Sequence, residues 1–131
     1  MKQFKEQAVG YSPWWQEDQA NVLNFHSLVP IPDAVLAAGY EDAGDDWEVA
    51  HWGCKWGACQ AELADEGDGQ LRYTFATAWS PPIEFLKQVA LRRPALLLVL
   101  EYEELGVGFK GLCKVQGPTV EDHCLTRMAL S

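Results

Sequence analysis

Apolar and polar positions alternate most clearly from Gln70 to Ala78, where Leu71, Tyr73, Phe75 and Thr77 share one face. A period of two marks a half-buried strand. Upstream, Ala58 to Leu63 has strand character, and Asp65-Glu66-Gly67-Asp68-Gly69 is a turn signal because its glycines supply positive φ without steric cost. The two runs predict a β-hairpin. Phe85, Leu86, Val89 and Ala90 then fall on one helical stripe. Ser80 and Pro81 supply an N-cap and a first helical residue, and Pro94 ends the helix. Ala95 to Glu103 is apolar on both faces in its first half, which predicts a central strand. Val107 to Val115 predicts its return after a turn near Gly106, and Gly117-Pro118 closes it.

The N-terminal third is patterned more weakly. Asn21 to Val29 reads as a strand closed by Pro30-Ile31-Pro32. Asp33 can cap a short helix over Ala34 to Ala38 that stops at Gly39. Glu41, Asp42, Asp45, Asp46 and Glu48 then predict an acidic loop, with Trp47 among them. The Trp14-Trp15 pair is expected to fold back on the domain as a lid. No internal repeat is present, and the tail from Thr119 to Ser131 carries little pattern. Two antiparallel hairpins separated by helices predict an α+β fold, ferredoxin-like, with an antiparallel sheet and helices packed on one face. At 131 residues the chain is expected to form a single domain (1–131). Residues 1–20 would be an N-terminal extension, 21–115 the ferredoxin-like core and 116–131 a C-terminal tail.

Charge changes the picture more than composition does. Nineteen acidic residues face ten Lys and Arg, for a net charge of −9. Binding DNA or RNA means neutralising phosphates with Lys and Arg, so direct nucleic-acid binding is disfavoured, as is an anionic membrane surface. Basic protein surfaces are the complementary partners. No segment resembles a signal peptide or a membrane span of ~20 apolar residues. A cytoplasmic location in a bacterial host is expected, with the four cysteines as free thiols. Nothing in the sequence decides between a monomer and a small homo-oligomer.

Three segments carry a resemblance. They are Phe25-His26-Ser27-Leu28-Val29-Pro30-Ile31-Pro32; Trp47 with His51-Trp52-Gly53-Cys54-Lys55-Trp56-Gly57-Ala58; and Thr77-Ala78-Trp79-Ser80-Pro81-Pro82 with Tyr102-Glu103-Glu104, Gly106 and Phe109-Lys110-Gly111 downstream. Together, over roughly Asn21 to Leu112, the chain resembles the YubB-like, ferredoxin-like domain family of phages and conjugative plasmids. That family has Thr where this chain has Cys54. The resemblance implies a ferredoxin-like fold and a mobile-element setting, in which small acidic proteins counter host defences, as anti-CRISPR inhibitors do. It transfers no catalytic residue.

Several candidate chemistries follow. Carboxylates at Glu41, Asp42, Asp45, Asp46, Glu48, Asp65, Glu66, Asp68, Glu101, Glu103 and Glu104 could mimic phosphates and occupy an Arg/Lys groove on a host protein, such as a CRISPR effector or another nucleic-acid-binding complex. The alternative is a small-ligand or enzymatic pocket lined by His51, Trp52, Lys55, Trp56, Thr77 and Trp79. A Cys54–His51 nucleophile lacks supporting context. Gly106-Val107-Gly108-Phe109-Lys110-Gly111 matches a dinucleotide fingerprint but leads into a strand where that site needs a helix. No paired knuckle supports zinc, and no D-x-[DN]-x-[DN]-G loop supports calcium. The expectation is a non-enzymatic inhibitor with no cofactor and no metal.

Overall fold

The computed structural model describes residues 2–16, 18–67, 69–78, 80–104 and 109–126. The chain forms two compact units, Met1–Phe85 and Leu86–Ser131. The architecture is α+β, and all strand pairing is antiparallel.

The first unit opens with helices α1 (Lys2–Gln7), α2 (Phe25–Leu28) and α3 (Asp33–Ala38), followed by a π-helical turn over Tyr40–Gly44 that runs directly into α4 (Asp45–Trp52). The long hairpin of β1 (Lys55–Gly67) and β2 (Gln70–Ala78) follows. Asn21 to Val29 is therefore not a strand. The Asn24 side chain accepts a hydrogen bond from the Ser27 N–H at 2.8 Å and caps α2. Phe25, Leu28 and Val29, spaced i, i+3, i+4, are buried together on its inner side. The expected acidic loop is helical as well. Asp45, Asp46 and Glu48 sit in the first turn of α4, where the positive end of the helix dipole favours carboxylates. Gly53, in the left-handed conformation with φ +80°, ends the helix by donating its N–H to the Glu48 and Val49 carbonyls.

The β1–β2 hairpin matches the sequence reading on β2, whose residues alternate between exposed and half-buried. Strand β1 begins three residues earlier than expected and is irregular. Five residues from Lys55 to Cys59 face only three of β2, Ala78 to Ala76, and a further shift separates Cys59 from Glu62. Trp56, Gly57 and Gln60 absorb these bulges with positive φ. The core of this unit centres on Phe25, which stacks on Phe85 with ring centroids 3.7 Å apart and meets Trp52 and Phe75 edge-on.

Helix α5 (Ile83–Arg92) starts two residues later than its cap signals imply. Ser80 donates instead to the Gly53 carbonyl, tying the loop after β2 to the end of α4. The unit boundary falls inside α5. In the second unit, β3 (Leu98–Glu104), β4 (Phe109–Gln116) and β5 (Thr119–Thr126) form a three-stranded meander. The central strand is β4 rather than the apolar run before it. Pro94 lies in a turn closed by the Leu96 N–H on the Arg93 carbonyl, which delays β3 to Leu98. The tail that carried little pattern becomes β5, because Gly117-Pro118, with Gly117 at φ +54°, is a hairpin turn rather than an end. Cys113 and Val115 are wholly buried on one face of β4, and Lys110, Lys114 and Gln116 are exposed.

On that inner face, Tyr102 crosses over its partner Gly111, and its hydroxyl donates to Asp122 at 2.8 Å. A Cβ on Gly111 would collide with the Tyr102 hydroxyl end and lie 2.6 Å from the His123 carbonyl. Gly111→Ala is expected to destabilise the fold by about 1–3 kcal/mol, the usual penalty for forcing atoms into a filled site. Urea unfolding checks this, and an unchanged midpoint would show that the sheet yields there without strain.

Candidate functional site

The polar centre of the first unit is Glu48, which has no exposed surface. Its two carboxylate oxygens accept from the Trp14 indole N–H at 2.8 Å and the Trp56 backbone N–H at 2.7 Å. The sequence builds this arrangement from three directions. Helix α4 carries Glu48 and Trp52 one turn apart on its inner face, and both are buried. The bulge at Trp56, with φ +65°, accompanies the N–H contact back to the helix. The N-terminal segment lays Trp14 across Gly44, where a Cβ would stand 2.5 Å from the indole ring, and against Tyr40 edge-on at 5.5 Å.

Electrostatics in this cluster favour neutral forms. Burial pushes the Glu48 pKa above the usual carboxylate range, outweighing the two N–H donors that act the other way. Burial also raises Cys54 to about 12, helped by the Glu48 charge, so its thiol is protonated at neutral pH and is no nucleophile. Tyr40 is pushed up to about 12 by burial and by Glu48 and Asp45, with the Trp56 side chain acting in the opposite direction. His26 accepts the Ile31 N–H on Nδ1 at 2.9 Å, and burial lowers its pKa, which leaves the ring neutral.

Above Glu48 lies a partly open cleft of about 280 Å³. Four of the six tryptophans line it: Trp14, Trp15, Trp52 and Trp56, with Glu48 and Gln60 among its polar groups. Trp52 is held by its indole N–H on the Val29 carbonyl at 3.2 Å. Trp15 and Trp56 stand at the rim, 48% and 47% exposed. Half-exposed aromatic side chains beside a few fixed polar groups are the usual make-up of a binding site.

Of the residues expected to line a pocket, Trp52 and Trp56 do so. His51 instead stacks on Trp47 and donates from Nδ1 to the Trp47 carbonyl at 2.9 Å. Lys55 reaches Asp45 at 3.1 Å. Thr77 donates to the Ser80 carbonyl at 3.0 Å, and Trp79 lies outside the described residues. Trp14, Trp15 and Gln60 belong to the cleft although the sequence did not place them there. The one signal for two of them was the Trp14-Trp15 pair itself, expected to return to the domain as a lid.

The acidic residues divide by environment. Glu41, Asp42 and Asp46 are exposed on the continuous helical run Tyr40–Trp52. Asp45 is half-buried with Lys55, and Glu48 is interior, so Glu48 cannot meet a partner surface directly. Glu101 and Glu103 are exposed on β3 in the second unit, Glu103 opposite Lys110. Asp65, Glu66 and Glu104 sit at strand ends, their side chains not among those described, and Asp68 lies outside the described residues. Among the described residues no group of three or more His, Cys, Asp or Glu is placed to hold a metal ion, and no helix is long and apolar enough to cross a membrane.

No curated protein and no solved structure matches the chain. A family model does, from Lys55, where β1 begins, to residue 129, past the end of β5. The match covers both antiparallel sheets and α5, more than half of the sequence, and by it the chain belongs to the family of the ferredoxin-like domain in Api92-like protein.

Proposed function

We propose that this is a non-enzymatic accessory protein of a phage or plasmid that binds and blocks a basic surface on a host nucleic-acid-handling or defence protein. The observation that carries the reading is the exposure of Glu41, Asp42 and Asp46 along one helical run in a chain of net charge −9. Carboxylates fixed on a helix can take the place of phosphates in an Arg/Lys groove, and long-range attraction speeds the encounter. The YubB-like resemblance supports the mobile-element setting. The protonated thiol of Cys54 and the engagement of His51 by Trp47 support binding over nucleophilic catalysis. A bacterial cytoplasm would supply such partners.

The test is capture of partners from bacterial lysate with and without nuclease. The wild-type protein should retain a partner at low salt, release it at ~0.5 M salt, where the Debye length is only a few ångströms, and be unaffected by nuclease. The triple variant Glu41→Lys, Asp42→Lys, Asp46→Lys should lose at least tenfold in affinity. Retention by the variant would remove the helical run from the interface. Asp45 and Glu48 are left intact, because reversing them would break the Lys55 pair and the interior cluster. A second reading, a small-molecule site, is favoured by the tryptophan-lined cleft.

A further inference from the structure

We infer that the tryptophan-lined cleft binds a short proline-rich segment of a partner protein in the extended polyproline II form, with indole faces against the proline rings and N–H donors on the segment's carbonyls. The inference goes beyond the acidic-surface reading and does not rest on it, since Glu41, Asp42 and Asp46 take no part in the cleft.

Three observations lead here. The first is strain. Among the described residues, Trp56 and Gln60 are the two non-glycine residues with positive φ, at +65° and +54°, and both line the cleft. Such backbone is costly for residues with a Cβ, and it collects at ligand clamps. The second is unused hydrogen-bonding capacity, and it is rich in donors. Trp14 and Trp52 direct their indole N–H groups to Glu48 and to the Val29 carbonyl. The Trp15 indole N–H and the Gln60 amide, by contrast, meet no partner among the described residues. His26 accepts the Ile31 N–H on Nδ1, so its neutral ring carries the proton on Nε2, which also meets no acceptor among the described residues. The third is charge. Among the described residues no Lys, Arg or Asp lines the cleft, and the acid beneath it, Glu48, has no exposed surface and is pushed toward its neutral form by burial. An uncharged lining with partial positive charge on its free donors complements an uncharged occupant rich in acceptors. A proline-rich segment is such an occupant. Proline has no backbone N–H to leave unpaired, and polyproline II makes no internal hydrogen bonds, so every carbonyl is available. The form exists before binding, which lowers the ordering cost, and aromatic-lined grooves are its usual receptors. A guanidinium or ammonium would bring donors to donors. The volume of about 280 Å³ lies just below the roughly 300–1,000 Å³ of small-molecule pockets, and the cleft is partly open. That suits a chain crossing Trp15 and Trp56, each about half exposed, better than an engulfed ligand.

The test titrates the whole protein with acetyl-hexaproline amide and with an acetylated, amidated Gly-Ser peptide of equal length, following the indole N–H signals by NMR. Hexaproline should give saturable shifts at Trp15 and Trp56 and bind at least about tenfold tighter than the Gly-Ser peptide. Trp15→Phe keeps an aromatic face but removes the N–H, and should weaken binding about two- to tenfold, the size of one hydrogen bond. Gln60→Gly should also weaken binding while leaving the urea midpoint unchanged or raised, because glycine adopts positive φ without strain. No saturable shift, equal binding of the two peptides, or a Trp15→Phe protein that binds as tightly as wild type would each overturn the inference. Hexaproline carries no charge, so its binding should persist at ~0.5 M salt and in the Glu41, Asp42, Asp46 triple variant, where the acidic-surface contact is lost. Its loss under either condition would likewise overturn the inference. Hexaproline binding with no partner captured from lysate would sink the acidic-surface reading and leave this one standing. Salt-sensitive capture with no hexaproline binding would do the reverse.

Discussion

Glu48→Gln should destabilise the protein by about 1–3 kcal/mol, the penalty for leaving a buried donor unpaired. Both Glu48 oxygens accept an N–H, one from the Trp14 indole and one from the Trp56 backbone. A glutamine presents one oxygen and one NH₂, so one of the two donors would face another donor. Glu48→Ala should cost more, since it leaves both donors unpaired and a void beside Trp14. The pH dependence has a definite sign. Burial raises the folded-state pKa of Glu48 above the unfolded value of about 4.5. The folded protein therefore binds this proton more tightly than the unfolded chain. The stability from this group is complete below the unfolded pKa, falls as pH rises through the window up to the folded pKa, and is flat above it. The gap in stability between wild type and Glu48→Gln should accordingly be widest in mild acid and shrink as the solution approaches neutrality. Urea unfolding at a series of pH values measures it. A gap that widened with pH would show that the two N–H donors outweigh burial, with the folded pKa lowered instead.

The acid that matters most to this site was placed on the surface by sequence reasoning, for a physical reason. A run of carboxylates is normally solvated, and the amphipathic signature of α4 is faint because its buried face is led by a charged residue. The legible clue was the spacing of Glu48 and Trp52, four apart ahead of a C-terminal glycine, which fits a helix whose inner face holds both. Local pattern succeeded where the environment is local: Leu71, Tyr73, Phe75 and Thr77 alternate as observed in β2, and the Phe85, Leu86, Val89, Ala90 stripe is the buried face of α5. It failed where a side chain caps the backbone, as Asn24 does for α2, and where a tight turn imitates an ending, as Gly117-Pro118 does before β5. The cleft was half legible. Trp52 and Trp56 lie in the motif that drew notice, but Trp14 and Trp15 reach it from more than thirty residues upstream of that motif. No short-range periodicity encodes such a contact.

The same long-range construction makes Phe25 the position where a single truncation should do most damage. Its side chain, 2% exposed, joins elements far apart in sequence: it stacks on Phe85 at 3.7 Å and meets Trp52 and Phe75 edge-on at 5.5 and 6.1 Å. Phe25→Ala should cost about 3–5 kcal/mol, combining lost transfer energy with the void left among rings that cannot all close in. That is a large share of the about 5–15 kcal/mol total of an ordinary domain. Phe25→Leu, which keeps most of the volume, should lose less, with the missing aromatic contacts as the main term. A double-mutant cycle tests whether packing at this ring is as tight as the geometry implies. Gly57 holds φ +76°, and a Cβ there would come within 3.3 Å of the Phe25 ring. Gly57→Ala should therefore destabilise the wild type through both backbone strain and the ring contact, but the Phe25→Ala protein through backbone strain alone. The two losses should add to more than the double variant shows. Strict additivity would mean that the bulge in β1 moves away from the ring at little cost. In that event Trp56, one residue before Gly57, would not be fixed at the cleft rim by the core beneath it.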